Sequence, residues 1–216
     1  MAPAPSRNSQ PSRLAGRCVS SLPFLAAVAL VFLLGLPVAA QRGAIVLPQN
    51  LAELVDQSAV IVRGQVIGAR VEPHPELKGL STVVVTLRVE ETLKGQAGAT
   101  FTFRQFIWDM RDRFDAAGYR KGDYLLLLMI PPSAYGLSSP AGLEQGRFRV
   151  VRDAAGKLAA VNGHGNADLF HELAPALKTR GVKLSPRLAG LVAQPQAGAI
   201  ALDDLRELIR QIAGAN

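Results

Sequence analysis

His164, Asp168 and His171 stand four and three positions apart, with Glu172 beside the last. On a helix the three would share one face. Two imidazoles and a carboxylate form a ligand set for zinc, so a metal-dependent hydrolase is the activity this trio would support. The setting points elsewhere. Asn162-Gly163-His164-Gly165-Asn166 is turn chemistry, and glycines flank His164 on both sides. The other reading is therefore an exposed loop histidine followed by one at a helix start. His74, between Pro73 and Pro75, reads as a solvated loop residue.

Serine chemistry has less behind it. Ser138 and Ser139 follow Tyr135-Gly136-Leu137, and no G-x-S-x-G elbow surrounds them. The loop 131–146 (PPSAYGLSSPAGLEQG) is long and poor in charge, as binding loops on rigid scaffolds are. It reads either as a partner-binding loop presenting Tyr135 and Leu137 or as a stiff cover over one end of the fold. The segment 106–119 holds the sole tryptophan, Trp108, with Phe106, Met110 and Phe114 among arginines and aspartates. Aromatic residues with arginine are the composition of binding hot spots, which makes Trp108 and Phe114 further candidates. The same spacing predicts a short amphipathic helix with Ile107, Met110 and Phe114 turned inward. No phosphate loop or paired-carboxylate arrangement is visible, and no cofactor is expected.

Positioning these residues falls to an exported chain. Residues 1–21 carry Arg7, Arg13 and Arg17 and no acid, 22–36 are apolar, and Val38-Ala39-Ala40 supplies small side chains. That order predicts a secretory signal peptide over 1–40, cleaved after Ala40, and a periplasmic or extracellular protein. Retention of 22–40 as a membrane anchor is the alternative. Of the 216 residues, 24 are Lys or Arg and 17 Asp or Glu, a net charge of +7. Removing the three leader arginines leaves +4, which argues for no nucleic-acid partner. The one cysteine, Cys18, lies in the leader, so the mature chain has no disulfides. With 49% hydrophobic residues, residues 41–216 suffice for a single domain with a packed core.

Strands dominate the remainder. Residues 50–57 (NLAELVDQ) predict a helix opened by an Asn50–Glu53 capping box. Residues 59–71 are rich in β-branched side chains, with Gly64 and Gly68 as bends. In 82–93, Val83, Val85, Leu87 and Val89 fall on one side and Thr82, Val84, Thr86, Arg88 and Glu90 on the other, as in a half-buried strand. Strands also follow at 100–107, at 124–130 as a continuous apolar run, and at 147–152 and 157–161 around a hairpin turn. A last helix is expected over 204–213, capped by Asp203, with Leu205, Leu208, Ile209 and Ile212 on one face. Residues 173–201 carry no clear periodicity. The fold expected is mainly β: a small antiparallel OB-like barrel or curled sheet with short flanking helices.

Three segments carry a resemblance. Ala59–Arg70, Val83–Gln96 with its Leu93-Lys94-Gly95 turn, and Lys121–Leu128 with Gly122-Asp123-Tyr124-Leu125-Leu126 are similar to the netrin-like domain. The similarity covers roughly residues 50–130. It implies the five-stranded OB-type barrel of the tissue inhibitors of metalloproteases, and an extracytoplasmic role. In those inhibitors an N-terminal cysteine chelates the target's zinc. Here the mature chain would start near Gln41 without a cysteine, which contradicts inhibition by that route. The resulting expectation is a non-catalytic exported module that binds an extracytoplasmic protein or other surface ligand.

Overall fold

The computed structural model describes residues 47–194 and 197–215. The expected signal peptide or anchor lies outside them. Seven strands form one antiparallel sheet in the order β3-β2-β1-β4-β5-β6-β7. They are β1 (Val60–Pro73), β2 (Ser81–Lys94), β3 (Thr100–Phe106), β4 (Tyr124–Met129), β5 (Arg147–Arg152), β6 (Leu158–Asn162) and β7 (Ile200–Ala201). Among the described residues four α-helices flank the sheet: α1 (Leu51–Gln57), α2 (Leu173–Thr179), α3 (Pro186–Val192) and α4 (Leu202–Gly214). Among the described residues no helix is long and apolar enough to cross a membrane.

The sheet is curled and not closed, so of the two architectures expected the barrel is corrected. Among the described residues no ladder joins β3 to β4. Two isolated bridges, Arg104 with Leu137 and Met129 with Pro140, span the space between them.

Strand β4 explains the continuous apolar run at 124–130. Its even residues Leu126 and Leu128 join a core with Ile61, Phe148, Ala160 and the four helices. Its odd residues Leu125, Leu127 and Met129 join a second core with Val62, Val66, Val83, Val85, Leu87 and Phe103. A strand buried on both faces has no polar side to alternate with. The curl comes from β1, whose register against β2 shifts at three points, two of them at Gly64 and Gly68. Gly64 is required there, because a Cβ would meet Arg88 O at 2.2 Å.

Helix α1 has the expected capping box: Glu53 N–H donates to Asn50 Oδ1 at 3.1 Å, and Asn50 N–H to Glu53 Oε2 at 2.8 Å. At its other end Val55 O accepts from both Ser58 N–H and Lys94 Nζ, the latter at 2.7 Å, which places a cation at the helix C-terminus. Helix α4 buries Leu205, Leu208, Ile209 and Ile212 completely. It starts two residues earlier than expected. Ala201 occupies the cap position without a side-chain bond, and Asp203 pairs with Arg206 at 2.7 Å instead of capping. The unassigned stretch 173–201 supplies α2, α3 and β7.

The amphipathic helix expected over 106–119 is absent. Two 3₁₀ turns, Met110–Arg113 and Ala116–Gly118, stand in its place, begun by Asp109 and Asp115 side chains that accept from Arg111 N–H and Gly118 N–H. Such local acceptors compete with an α-helix, and Ala117 sits at φ 54°. Ile107 is buried as expected, while Met110 and Phe114 are exposed.

Candidate interaction site

The most exposed aromatic residues lie on the connections that leave β3 and β4. Trp108 is 62% exposed, Met110 66%, Phe114 92% and Tyr135 53%. Trp108 is held edge-on against Phe106, with centroids 4.7 Å apart at 80°. The connection itself is anchored from beneath. Tyr119 is buried, donates from its hydroxyl to Gln105 Oε1 at 2.8 Å, and lies under the Arg147 guanidinium at 4.6 Å. Burial pushes the Tyr119 phenol up to about 12, with Arg147 pulling the other way. Arg147 also donates to Ala117 O at 2.7 Å and reaches Glu144 at 2.8 Å. Large apolar side chains stand in water here on backbone tied to the core.

Loop 131–146 is equally fixed. Ser138 N–H donates to Arg104 O, and Ile130 N–H to Ser139 O. Ser138 Oγ donates to Ile130 O at 2.8 Å, so this hydroxyl closes a turn. Leu137 is half-buried at the bridge to Arg104. His74 corrects the sequence reading, because it is buried. Its Nε2 bonds Tyr135 O at 2.9 Å, while Nδ1 accepts from Glu76 N–H and Leu77 N–H. Between β3 and the end of β4 lies a cavity of about 300 Å³. Its walls include Val60, Phe101, Phe103, Met129, Ile130 and Pro132, and Arg104 and Ser138 supply polar groups. Arg104 is paired with Glu72 at 2.6 Å. Hydrogen bonds from Arg70 and Arg104 outweigh desolvation and hold the Glu72 carboxyl below its ordinary range.

His164, Asp168 and His171 fall in consecutive turns and not on a helix, and all three are exposed. Asp168 has φ 61°, which breaks the helical face their spacing would need. Among the described residues no group of three His, Cys, Asp or Glu side chains is placed to hold a metal ion.

What the turns do hold is a buried amide cluster. Asn162 N–H donates to Asn166 Oδ1, and Asn166 N–H donates back to Asn162 Oδ1. The Asn162 amide reaches Gln145 O, and that of Asn166 reaches both Ala160 O and Gly198 O. Asn166 also takes φ 60°, a region asparagine tolerates.

Sequence reasoning named Trp108, Phe114, Tyr135 and Leu137 as candidates; the first three are exposed and Leu137 is half-buried. It missed the cavity, His74 and the asparagine pair. The only available signal for the last was asparagine recurring at a four-residue spacing around glycines. No family model, curated protein or solved structure matches the chain.

Proposed function

We propose that this chain is an exported, non-catalytic module that binds an extracytoplasmic protein through the connections leaving β3 and β4. The observation that carries this reading is the exposure of Trp108, Met110, Phe114 and Tyr135 on backbone anchored to the core. Tryptophan and tyrosine dominate binding hot spots because they offer large contact area with few rotatable bonds. Trp108 and Tyr135 are of these types, and together with Met110 and Phe114 they face water at a cost that a partner surface would remove. The alternative, a hydrolase using His164, Asp168 and His171, has their separate exposed turns against it.

Site-specific photo-crosslinking tests the proposal. A benzophenone amino acid at position 114, and separately at 135, should give one discrete protein adduct in the exported fraction. The same group at exposed position 157, on the β5–β6 turn, should not. Identical adduct patterns at all three positions, or none at any, would remove the basis for the reading.

A further inference from the structure

Among the described residues strand β3 is the outer edge of the sheet, and its one ladder is with β2. Its ladder shows which main-chain groups face outward. Val89 N–H donates to Ala99 O at 2.9 Å, and Ile107 N–H to Ser81 O at 3.1 Å. Bonded and non-bonded pairs alternate in an antiparallel ladder, so the odd-numbered residues of β3 bond to β2. The N–H and C=O groups of Thr100, Thr102 and Arg104 therefore point away from the sheet. The chain uses one of these: Ser138 N–H donates to Arg104 O at 2.8 Å, beside the parallel bridge of Leu137. Among the described residues, no main-chain hydrogen bond reaches Thr100 or Thr102 from that side.

Proteins usually blunt such an edge with lysine, proline or a bulge. Strand β3 (TFTFRQF) has neither residue, and its register with β2 runs without a shift from Phe106 to Thr100. Its one arginine is paired with Glu72, a carboxylate it shares with Arg70. Beside this open edge lies the apolar cavity of about 300 Å³, walled by Phe101, Phe103 and Met129.

We propose that the β3 edge and this cavity together bind an extended peptide segment of the partner by strand addition. Main-chain bonds would form at Thr100 and Thr102, and one large apolar side chain would enter the cavity. The inference rests on the binding-module reading and names the chemistry of the partner. The loop at Leu137 already occupies the Arg104 end, so the free stretch suits a short segment better than a second copy of β3.

A display library of random seven-residue peptides panned on the full chain tests it. Enriched sequences should share one large apolar residue within an extended, alternating pattern. Their binding should fall at least tenfold for Thr102→Pro, which removes an outward N–H and leaves the β2 ladder intact. Should that variant not fold, backbone N-methylation of the enriched peptide must give the same loss on the unaltered chain. The proposal is overturned by no enrichment, or by peptides indifferent to both changes. Dimerisation that Thr102→Pro abolishes, without peptide enrichment, would assign the edge to a second copy and also overturn it. If the peptide site fails while the adduct at position 114 persists, only this inference falls and the module reading stands.

Discussion

The imidazole of His74 donates from Nε2 to the main-chain oxygen of Tyr135, 2.9 Å away and 61 positions further along the chain. The direction follows from the other nitrogen. Nδ1 accepts from Glu76 N–H at 3.1 Å and Leu77 N–H at 3.0 Å, so the proton resides on Nε2. One buried side chain thus closes the turn between β1 and β2 and ties the exposed Tyr135 to it.

Asparagine at position 74 can still accept from residues 76 and 77, as in an Asx turn, but it cannot reach Tyr135. His74→Ala should cost about 1–3 kcal/mol, and His74→Asn less. Both should speed amide hydrogen exchange at 133–137. Denaturant titration with exchange mass spectrometry separates the two effects. Unchanged exchange in both variants would mean that the tether does not hold the loop.

The fold was legible where one physical term dominated. Alternation in 82–93 and the apolar run at 124–130 both mark strands that are present, although Thr82 and Val84 on the second face of β2 are buried as well, so its first half is covered on both sides. The stripe Leu205, Leu208, Ile209 and Ile212 likewise marks a packed helix. Legibility failed where local side-chain hydrogen bonds compete with periodicity. The spacing of Ile107, Met110 and Phe114 is helical, yet Asp109 and Asp115 cap 3₁₀ turns that leave two of the three in water. His74 and the Asn162–Asn166 pair are polar residues buried because their partners are main-chain groups remote in sequence. No spacing rule encodes that. For the candidate site, the exposed aromatics could be named from composition, while the cavity beside β3 arises from the curl and could not.

Leu126 is fully buried at the centre of the sheet. Leu126→Ala should destabilise by about 2–5 kcal/mol, lost transfer energy and the cavity left behind both contributing. A loss below about 0.5 kcal/mol in urea unfolding would reject its place in a packed core.

Asn166 serves three main-chain partners: Asn162 N–H, Ala160 O and Gly198 O. Asn166→Ala orphans all three and places alanine at positive φ, so we expect a loss of at least about 2 kcal/mol. Asn166→Gly removes the backbone strain but not the orphaned groups, and should recover only part of it. Full recovery in the glycine variant would show that conformation alone matters at this site.

Glu91 on β2 meets Arg63 from β1 and Arg206 and Arg210 from α4. Burial opposes its charge, but the hydrogen bonds and charges of these arginines prevail and hold the carboxyl below its ordinary 4.5. A depressed folded-state value contributes stability that is present above about 4.5 and is lost as pH falls through the lower folded value. Glu91→Gln should therefore lower the melting temperature at neutral pH and flatten its fall on acidification below 4.5. Parallel melting-temperature profiles for variant and parent would contradict this.

In the function proposed above, the exposed aromatics of the β3–β4 connection bind a protein partner. The direct measurement is the dissociation constant of the partner crosslinked through position 114, for the parent, for Trp108→Ala/Phe114→Ala, and for Lys157→Ala. We expect the double variant to bind at least tenfold more weakly at an unchanged melting temperature, with Lys157→Ala indistinguishable from the parent. Equal affinity for all three proteins would contradict the account.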